Sequence, residues 1–137
     1  MRKLHEICDD VRDLLLMKFQ TVRISALQTS DQLLSEIRAI NPDKLPGVII
    51  VFDGWNFDGM SMTNTAHLTL VLVDRFRAGS DERALSVFQA GSDLVGLFPP
   101  DGMELNGTYF YPVDCQAASP ASGFAVLAVG IEVKQGS

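Results

Sequence analysis

The stretch from Thr63 to Leu97 constrains the fold of this chain more than any other part of the sequence. Its first part, from Thr63 to about Phe76, carries apolar residues in a largely alternating pattern, which is typical of a β-strand. An amphipathic helix follows, because Ser80 can cap its N-terminus and Asp81 and Glu82 suit the positive end of a helix dipole. The side chains predicted to face the core from this helix are Leu85, Phe88, Leu94 and Val95. A long strand that leads directly into a helix is therefore the centre of the predicted architecture.

Further elements follow from the same patterns. Apolar residues at helical spacing indicate one helix over about residues 2–18 and a second that begins near Ser30 and ends at Asn41-Pro42. The run Val48–Phe52 is continuously apolar and rich in β-branched residues, which favours a strand covered on both faces near the middle of a sheet. Pro112 places its own strand at a sheet edge or at a bulge. The remaining predicted strands are residues 21–27, Thr108–Gln116 and Phe124–Lys134.

The order of these elements predicts the fold class. It is α-β-α-β-β-α-β-β, in which consecutive strands dominate over strict β-α-β alternation. This order favours an α+β fold with a mainly antiparallel sheet of about four to five strands and two to three helices packed on one face. The 137 residues can bury about two-thirds of the unfolded surface, so residues 1–137 are predicted to form a single domain.

Charge and hydropathy argue against some classes of function. The formal net charge is −6 and the eleven Lys and Arg residues are scattered, whereas duplex nucleic acid is bound by clustered basic residues. Residues 1–10 interleave acidic and apolar side chains, unlike a signal peptide. No apolar run reaches the roughly 20 residues that a membrane helix needs. We therefore expect a cytoplasmic protein whose main ligand is neither nucleic acid nor a membrane.

The segment Asp53–Met62 is acidic and punctuated by glycines, but it does not match a calcium-binding loop. Trp55 and Phe57 stand at positions where such loops supply oxygen ligands. The sequence also lacks the glycine-rich motifs that cradle phosphates. The sequence therefore predicts no metal and no cofactor, and the segment is predicted to be a loop that leads back into the long strand.

Few side chains are candidates for catalysis. His5 and His67 are the only histidines, and neither has a partner at a metal-ligand spacing. Cys8 and Cys115 lack CxxC spacing and are predicted to be buried, reduced thiols. A triad built from residues distant in the sequence stays open, but no serine or cysteine lies in a GxSxG motif. No catalytic residue is predicted.

Four large apolar residues in the predicted loop are unusual, because loops are normally polar. They lie within eight residues of one another and are Trp55, Phe57, Met60 and Met62. Such side chains either pack back over the edge of the sheet or are covered by another subunit. The sequence alone leaves both alternatives open.

Taken along the chain, the pattern resembles the tail-terminator, or tail-completion, proteins of tailed phages and of Mu-like or lambda-like prophages. The resemblance covers nearly the whole chain. It lies in the order of the helices and strands and in the pattern of residues within them, without a diagnostic motif. The segments that carry it are the N-terminal amphipathic helix, Leu45–Val51, the long strand into Arg75-x-Arg77, Asp81–Phe88, Tyr109–Val113 and Phe124–Val133.

The resemblance implies a structural role without a catalytic residue or cofactor. Members of that family form a ring, usually hexameric, that caps the tail tube, terminates tail polymerisation and joins the tail to the head connector. For this chain it implies a protein of the bacterial host cytoplasm during assembly, and of the virion tail afterwards. The predicted partners are other copies of the chain, the tail-tube protein and a head-completion protein.

A ring requires a heterologous interface, in which one patch meets a different patch on the next copy. The loop with Trp55, Phe57, Met60 and Met62 is the predicted first patch, and Arg75 and Arg77 are predicted to pair with the acidic first helix. The alternative is a small cytoplasmic ligand-binding domain or an unrecognised hydrolase. That alternative predicts a concave pocket lined by His67 or Cys115.

Overall fold

The structure is a computed structural model that describes residues 3–25, 30–58, 60, 63–75, 81–117 and 124–136. The fold is α+β, with three helices and a six-stranded, mixed but mostly antiparallel sheet that curls into a half-barrel. The helices are α1 (Leu4–Leu15), α2 (Ser30–Ala39) and α3 (Asp81–Gly96). The strands are β1 (Thr21–Ser25), β2 (Gly47–Asp58), β3 (Thr63–Arg75), β4 (Met103–Leu105), β5 (Thr108–Ala117) and β6 (Phe124–Gly136). The predicted fold class is confirmed, but the sheet has more strands than predicted.

Strand order in the sheet is β1-β2-β3-β6-β5-β4. Only β1 and β2 run parallel, and the helix α2 forms the crossover between them. The other neighbours are antiparallel, and β3 pairs with β6 over its whole length, from Thr63 opposite Gly136 to Arg75 opposite Phe124. The long strand predicted from the sequence therefore lies inside the sheet, between β2 and β6.

Both faces of the sheet are covered by helices, so the prediction that all helices pack on one face is wrong. Successive residues of a strand point to opposite faces. In β3, Leu70 and Leu72 contact the larger core with α1 and α3, while Val71 and Val73 contact a second core with α2. A sheet that is apolar on both faces requires cover on both. The two-sided burial predicted for Val48–Phe52 is confirmed for Val48–Ile50, which are fully buried, whereas Val51 and Phe52 are half-buried.

The helices α1 and α2 contribute buried side chains to the two cores at the helical spacing seen in the sequence. From α1, Ile7, Cys8, Val11 and Leu15 are buried, and the backbone N–H of Lys3 donates to Glu6 Oε1 at 2.9 Å where this helix begins. From α2 and the residue after it, Ile37 and Ile40 are buried against the opposite face. Helical spacing of apolar residues thus predicted these contacts correctly, although not which face each helix covers.

The segment Asp53–Met62 is the largest correction to the sequence prediction. It was predicted as a loop, but β2 continues to Asp58 and pairs with β3 as far as Thr63. A β-bulge between Phe52 and Gly54 absorbs the residues that resemble a turn. Antiparallel pairing with the long β3 therefore overrides the local glycine and aspartate signal, and leaves only residues 59–62 between the strands.

The strand β4 was missed by the sequence prediction. It pairs with β5 through the two-residue turn Asn106-Gly107, whose φ angles are 53° and 83°. Two successive positive φ values define a type I′ turn, for which Asn-Gly is the strongest short signal. The signal was present in the sequence, but the short strand Met103–Leu105 follows Pro99-Pro100 too closely to stand out.

Strand β5 confirms the prediction made for Pro112. The register with β6 shifts between Pro112 and Asp114, which is a bulge, and β4 pairs only with residues 108–110. Pro112 therefore lies beside the bulge and beyond the end of β4, on a part of β5 that has β6 as its one described neighbour. The Asp114 carboxylate lies over Gly130, where a β-carbon would come within 2.5 Å of Asp114 Oδ1.

Some burial predictions are wrong at single residues. Phe88 was predicted to face the core but is 61% exposed, and Cys115 is exposed whereas Cys8 is buried as predicted. In β1, Ile24 is exposed and Ser25 is buried, although the apolar residue of this pair is the one expected to lie in the core. These residues all lie near the boundary of the packed region, where side-chain periodicity says nothing about whether a neighbouring element is present.

Gly102 offers a test of the turn that precedes β4. We expect Gly102→Ala to lower the free energy of unfolding by about 1–3 kcal/mol, because φ there is positive and an added β-carbon would overlap the Tyr111 ring. The matched control is Gly96→Ala at the end of α3, where nothing lies within 4 Å of the added carbon. The control should change stability by less than about 1 kcal/mol. Urea denaturation measures both, and equal effects would contradict this account.

Candidate functional site

The end of the β2–β3 hairpin carries an aromatic pair. Trp55 and Phe57 are two residues apart in β2, so they share one face of the strand. Their rings stack with centroids 5.3 Å apart and an interplanar angle of 22°. Trp55 lies opposite Ala66 of β3, which belongs to the larger core. The aromatic pair therefore extends the face covered by α1 and α3 towards the end of the hairpin.

Exposure rises steeply along this hairpin. Trp55 is half-buried and packs against the larger core, whereas Phe57 is 69% exposed and Met60 is 96% exposed. Of the alternatives left open by the sequence, packing back onto the core holds for Trp55. Phe57 and Met60 stay exposed, and their cover by another subunit stays a prediction. We call Trp55, Phe57 and Met60 the aromatic tip. Met62, predicted to belong to the same patch, lies outside the described residues.

The aromatic tip also lies on an unpaired strand edge. Strand β1 pairs with β2 only from Gly47 to Val51, so within the described residues Phe52–Asp58 has no strand on its outer side. The indole nitrogen of Trp55 is buried and finds no hydrogen-bond acceptor among the described residues. An open strand edge and an orphan donor beside exposed aromatic rings are typical of a surface that is covered in an assembly.

Arg75 is far from the aromatic tip. It ends β3, and Thr63 begins this strand beside the tip. An antiparallel strand rises about 3.4 Å per residue, so these twelve steps span roughly 40 Å. The structure therefore does not bring Arg75 and the exposed apolar residues together. Arg77 lies outside the described residues, and the role of both arginines stays a prediction.

The first helix presents the acidic surface that the sequence predicted as a partner for arginine. Arg12 is close to Asp9, with 3.2 Å between Nη2 and Oδ1, and to Asp13, with 3.8 Å between Nε and Oδ1. Asp10 Oδ1 accepts a hydrogen bond of 3.2 Å from Asn106 Nδ2. A shallow hollow of about 270 Å³ lies here and includes exposed Met17. Arg12 therefore offsets part of the negative charge of this group of aspartates.

His67 is held in a polar network on the face opposite the larger core. Asn56 Nδ2 lies 3.0 Å from His67 Nε2, and an amide nitrogen can only donate, so Nε2 accepts. The remaining nitrogen, Nδ1, faces Glu132 Oε1 at 3.9 Å. Lys134 Nζ lies 5.5 Å from the centre of the Tyr111 ring and 4.0 Å from Glu132 Oε2. Both histidine nitrogens thus face protein groups, which suits a structural role.

Cys115 lines an apolar groove beside α3. The groove has a volume of about 630 Å³ and is open to solvent, with Phe88 and Val95 from α3 and Leu127 from β6 in its lining. Cys115 belongs to the same sheet face as α3, whereas His67 points to the other face. A Cys115–His67 nucleophile and base pair is therefore impossible in this fold, since the sheet separates the two side chains.

The groove was missed by sequence reasoning, although a signal for it exists. Phe88, Ser92 and Val95 are spaced by four and three residues, so they form a line along one side of α3. The buried positions Ala90 and Leu94 lie on a different side of the helix. Two of these three positions, Phe88 and Val95, are apolar although they lie away from the fully buried side of the helix, which indicates a partly exposed apolar surface, but the core assignment of Phe88 masked it.

Comparison of the sequence with protein-family models finds no match, and comparison with curated proteins finds none either. Among the described residues, no group of three or more His, Cys, Asp or Glu side chains could hold a metal ion. No described helix is long and apolar enough to cross a membrane. The functional argument therefore rests on the surfaces of this molecule.

The two cysteines should differ sharply in reactivity. Burial, together with the neighbouring charge of Asp9, raises the pKa of the Cys8 thiol above its ordinary value, so little reactive thiolate forms at neutral pH. We expect maleimide to label Cys115 rapidly in the folded protein and Cys8 only after unfolding. Intact mass spectrometry should show a single adduct before denaturation and two afterwards. Rapid double labelling of the folded protein would contradict the burial of Cys8.

Proposed function

We propose that this protein is a structural subunit that works by assembling with other copies of itself, and that it caps a phage tail tube as a terminator ring. The observation that carries the proposal is the aromatic tip. Phe57 and Met60 are among the most exposed large apolar side chains of the described residues, and they stand together at the end of one hairpin. Single exposed apolar residues are common, but a cluster marks an interaction site.

The energetics favour cover of the tip by a protein. Full burial of a Phe or Met side chain is worth about 1.5–3 kcal/mol. The stacked Trp55 holds Phe57 in a defined position, so little conformational freedom would be lost on contact. The orphan Trp55 indole N–H would also gain from an acceptor supplied by a partner. These features support a rigid, preformed contact surface.

The terminator assignment rests on the resemblance in element order together with these assembly features. In this role the chain ends tail polymerisation, contacts the tail-tube protein on one side of the ring and contributes to head–tail joining on the other. It needs neither catalytic residues nor a cofactor. Its expected place is the host cytoplasm during assembly, and then the virion tail.

The alternative of a ligand-binding domain or hydrolase has less support. Its predicted pocket beside Cys115 does exist, but the lining is apolar and His67 lies on the other face of the sheet. No described side chain in the groove's lining can act as a general base for the Cys115 thiol. The groove is therefore better explained as a contact surface, which supports assembly over catalysis.

Substitution of the exposed tip residues tests the proposal. We expect the double variant Phe57→Ser, Met60→Ser to fold normally, because both side chains are mostly solvated, but to lose oligomers. Trp55 is left unchanged because it packs against the core and its loss would also affect stability. Sedimentation velocity and negative-stain microscopy at increasing protein concentration measure assembly.

Met17→Ser is the matched control, since Met17 is 75% exposed and lies beyond the end of α1. The unmodified protein and this control should form rings, or oligomers that grow with concentration, and the double variant should remain a monomer. Equal assembly of all three proteins would show that the tip is not part of the interface. A monomer in every case, both alone and mixed with purified tail tubes, would overturn the assembly function itself.

A further inference from the structure

We propose that the apolar groove beside α3 receives the aromatic tip of a second copy of this chain. This inference rests on the proposed function, because it identifies the second surface of the interface between copies. A heterologous contact needs two different patches on one molecule. The described residues supply one protruding apolar patch and one recessed apolar patch, and both are incompletely buried in the single chain.

The groove is recessed because α3 has a glycine, Gly91, at its contact with the sheet. A β-carbon there would lie only 2.8 Å from Leu127 Cδ1, so the helix backbone packs directly against this side chain of β6. Gly96, further along the helix, adds no side chain to the groove's lining. Phe88 from α3 and Cys115 from β5 both line the resulting depression. Its volume of about 630 Å³ suits large apolar side chains.

The tip of one molecule cannot fill its own groove. The groove is lined by Leu127, which pairs with Leu72 in β3, whereas Phe57 lies opposite Asn64 of the same strand and Met60 lies beyond its first residue, Thr63. Eight steps at about 3.4 Å place Phe57 roughly 27 Å from the groove along a paired strand, and Met60 lies further along the hairpin. Contact between them is therefore intermolecular, and repetition of the contact produces a ring or a filament.

The contact area sets the expected strength. A buried aromatic side chain contributes about 150–250 Å², whereas a stable interface covers about 800 Å² on each partner. Phe57 and Met60 alone fall well below that value. The contact between two copies is therefore weak, and assemblies become stable only when a closed ring, or a template such as a tube end, lets each copy make two contacts at once.

A disulfide between copies tests the proposal directly. Cys115 is a native exposed thiol in the groove, and Cys8 is buried. We expect Met60→Cys to form intermolecular disulfides under mild oxidation, seen as a ladder of dimers, trimers and higher species on a non-reducing gel. The ladder should disappear when Cys115→Ser is added. Met17→Cys, at a position that is 75% exposed and lies beyond the end of α1, is the matched control and should give no ladder.

A mixing experiment distinguishes the groove from other contacts. The double variant Met60→Cys, Cys115→Ser should not link to itself, but should form a single mixed dimer with the unmodified protein, identified by mass. Self-linking of the double variant would show contact between two tips and would overturn the inference. Rings visible by microscopy without the tip-to-groove link would overturn it while the proposed function stands. Absence of both rings and intermolecular disulfides would overturn the inference and the proposed function together.

Discussion

The rest of the molecule depends on β3 being apolar on both of its faces. Leu68, Leu70 and Leu72 point to one side, Val71 and Val73 to the other, and all are buried. A strand of this kind is stable only when paired along both edges and covered above and below. Pairing with β2 and β6 meets the first requirement, and the helices on opposite faces meet the second. The layout of the fold follows from this one strand.

The same strand explains where the molecule is left open. The helices cover the part of the sheet in which both faces are apolar, and the hairpin end of β2 and β3 extends beyond that part. There one face becomes polar, with Asn56, His67 and Glu132 bonded or close to one another, while the other carries the aromatic tip. The polar network covers one face of the hairpin end, and the exposed apolar side chains of the other face agree with the contact between subunits that we propose.

Gly91 in α3 and the β-bulge in β2 shape the two apolar surfaces, which are the groove and the aromatic tip. Gly91 draws α3 onto β6 and creates a recess, and the bulge at Phe52–Gly54 keeps β2 paired past residues that would otherwise turn away. The β2–β3 hairpin is therefore longer, and α3 packs closer to the sheet. The protruding tip and the recessed groove are thus products of backbone geometry at opposite ends of one rigid strand, which is why they suit contact between copies rather than within one.

The sequence by itself determined the α+β class, the long strand β3 and the buried sides of α1 and α2. It also predicted a contact patch of Trp55, Phe57, Met60 and Met62. These depend on local periodicity and composition. Only the tertiary structure decided that α2 covers the second face, that residues 53–58 are strand, and that Phe88 and Cys115 border a groove on the face away from His67. Each of those depends on which distant segments pair with β2, β3 and β6, and strand pairing between distant segments leaves no signal in the local pattern of residues.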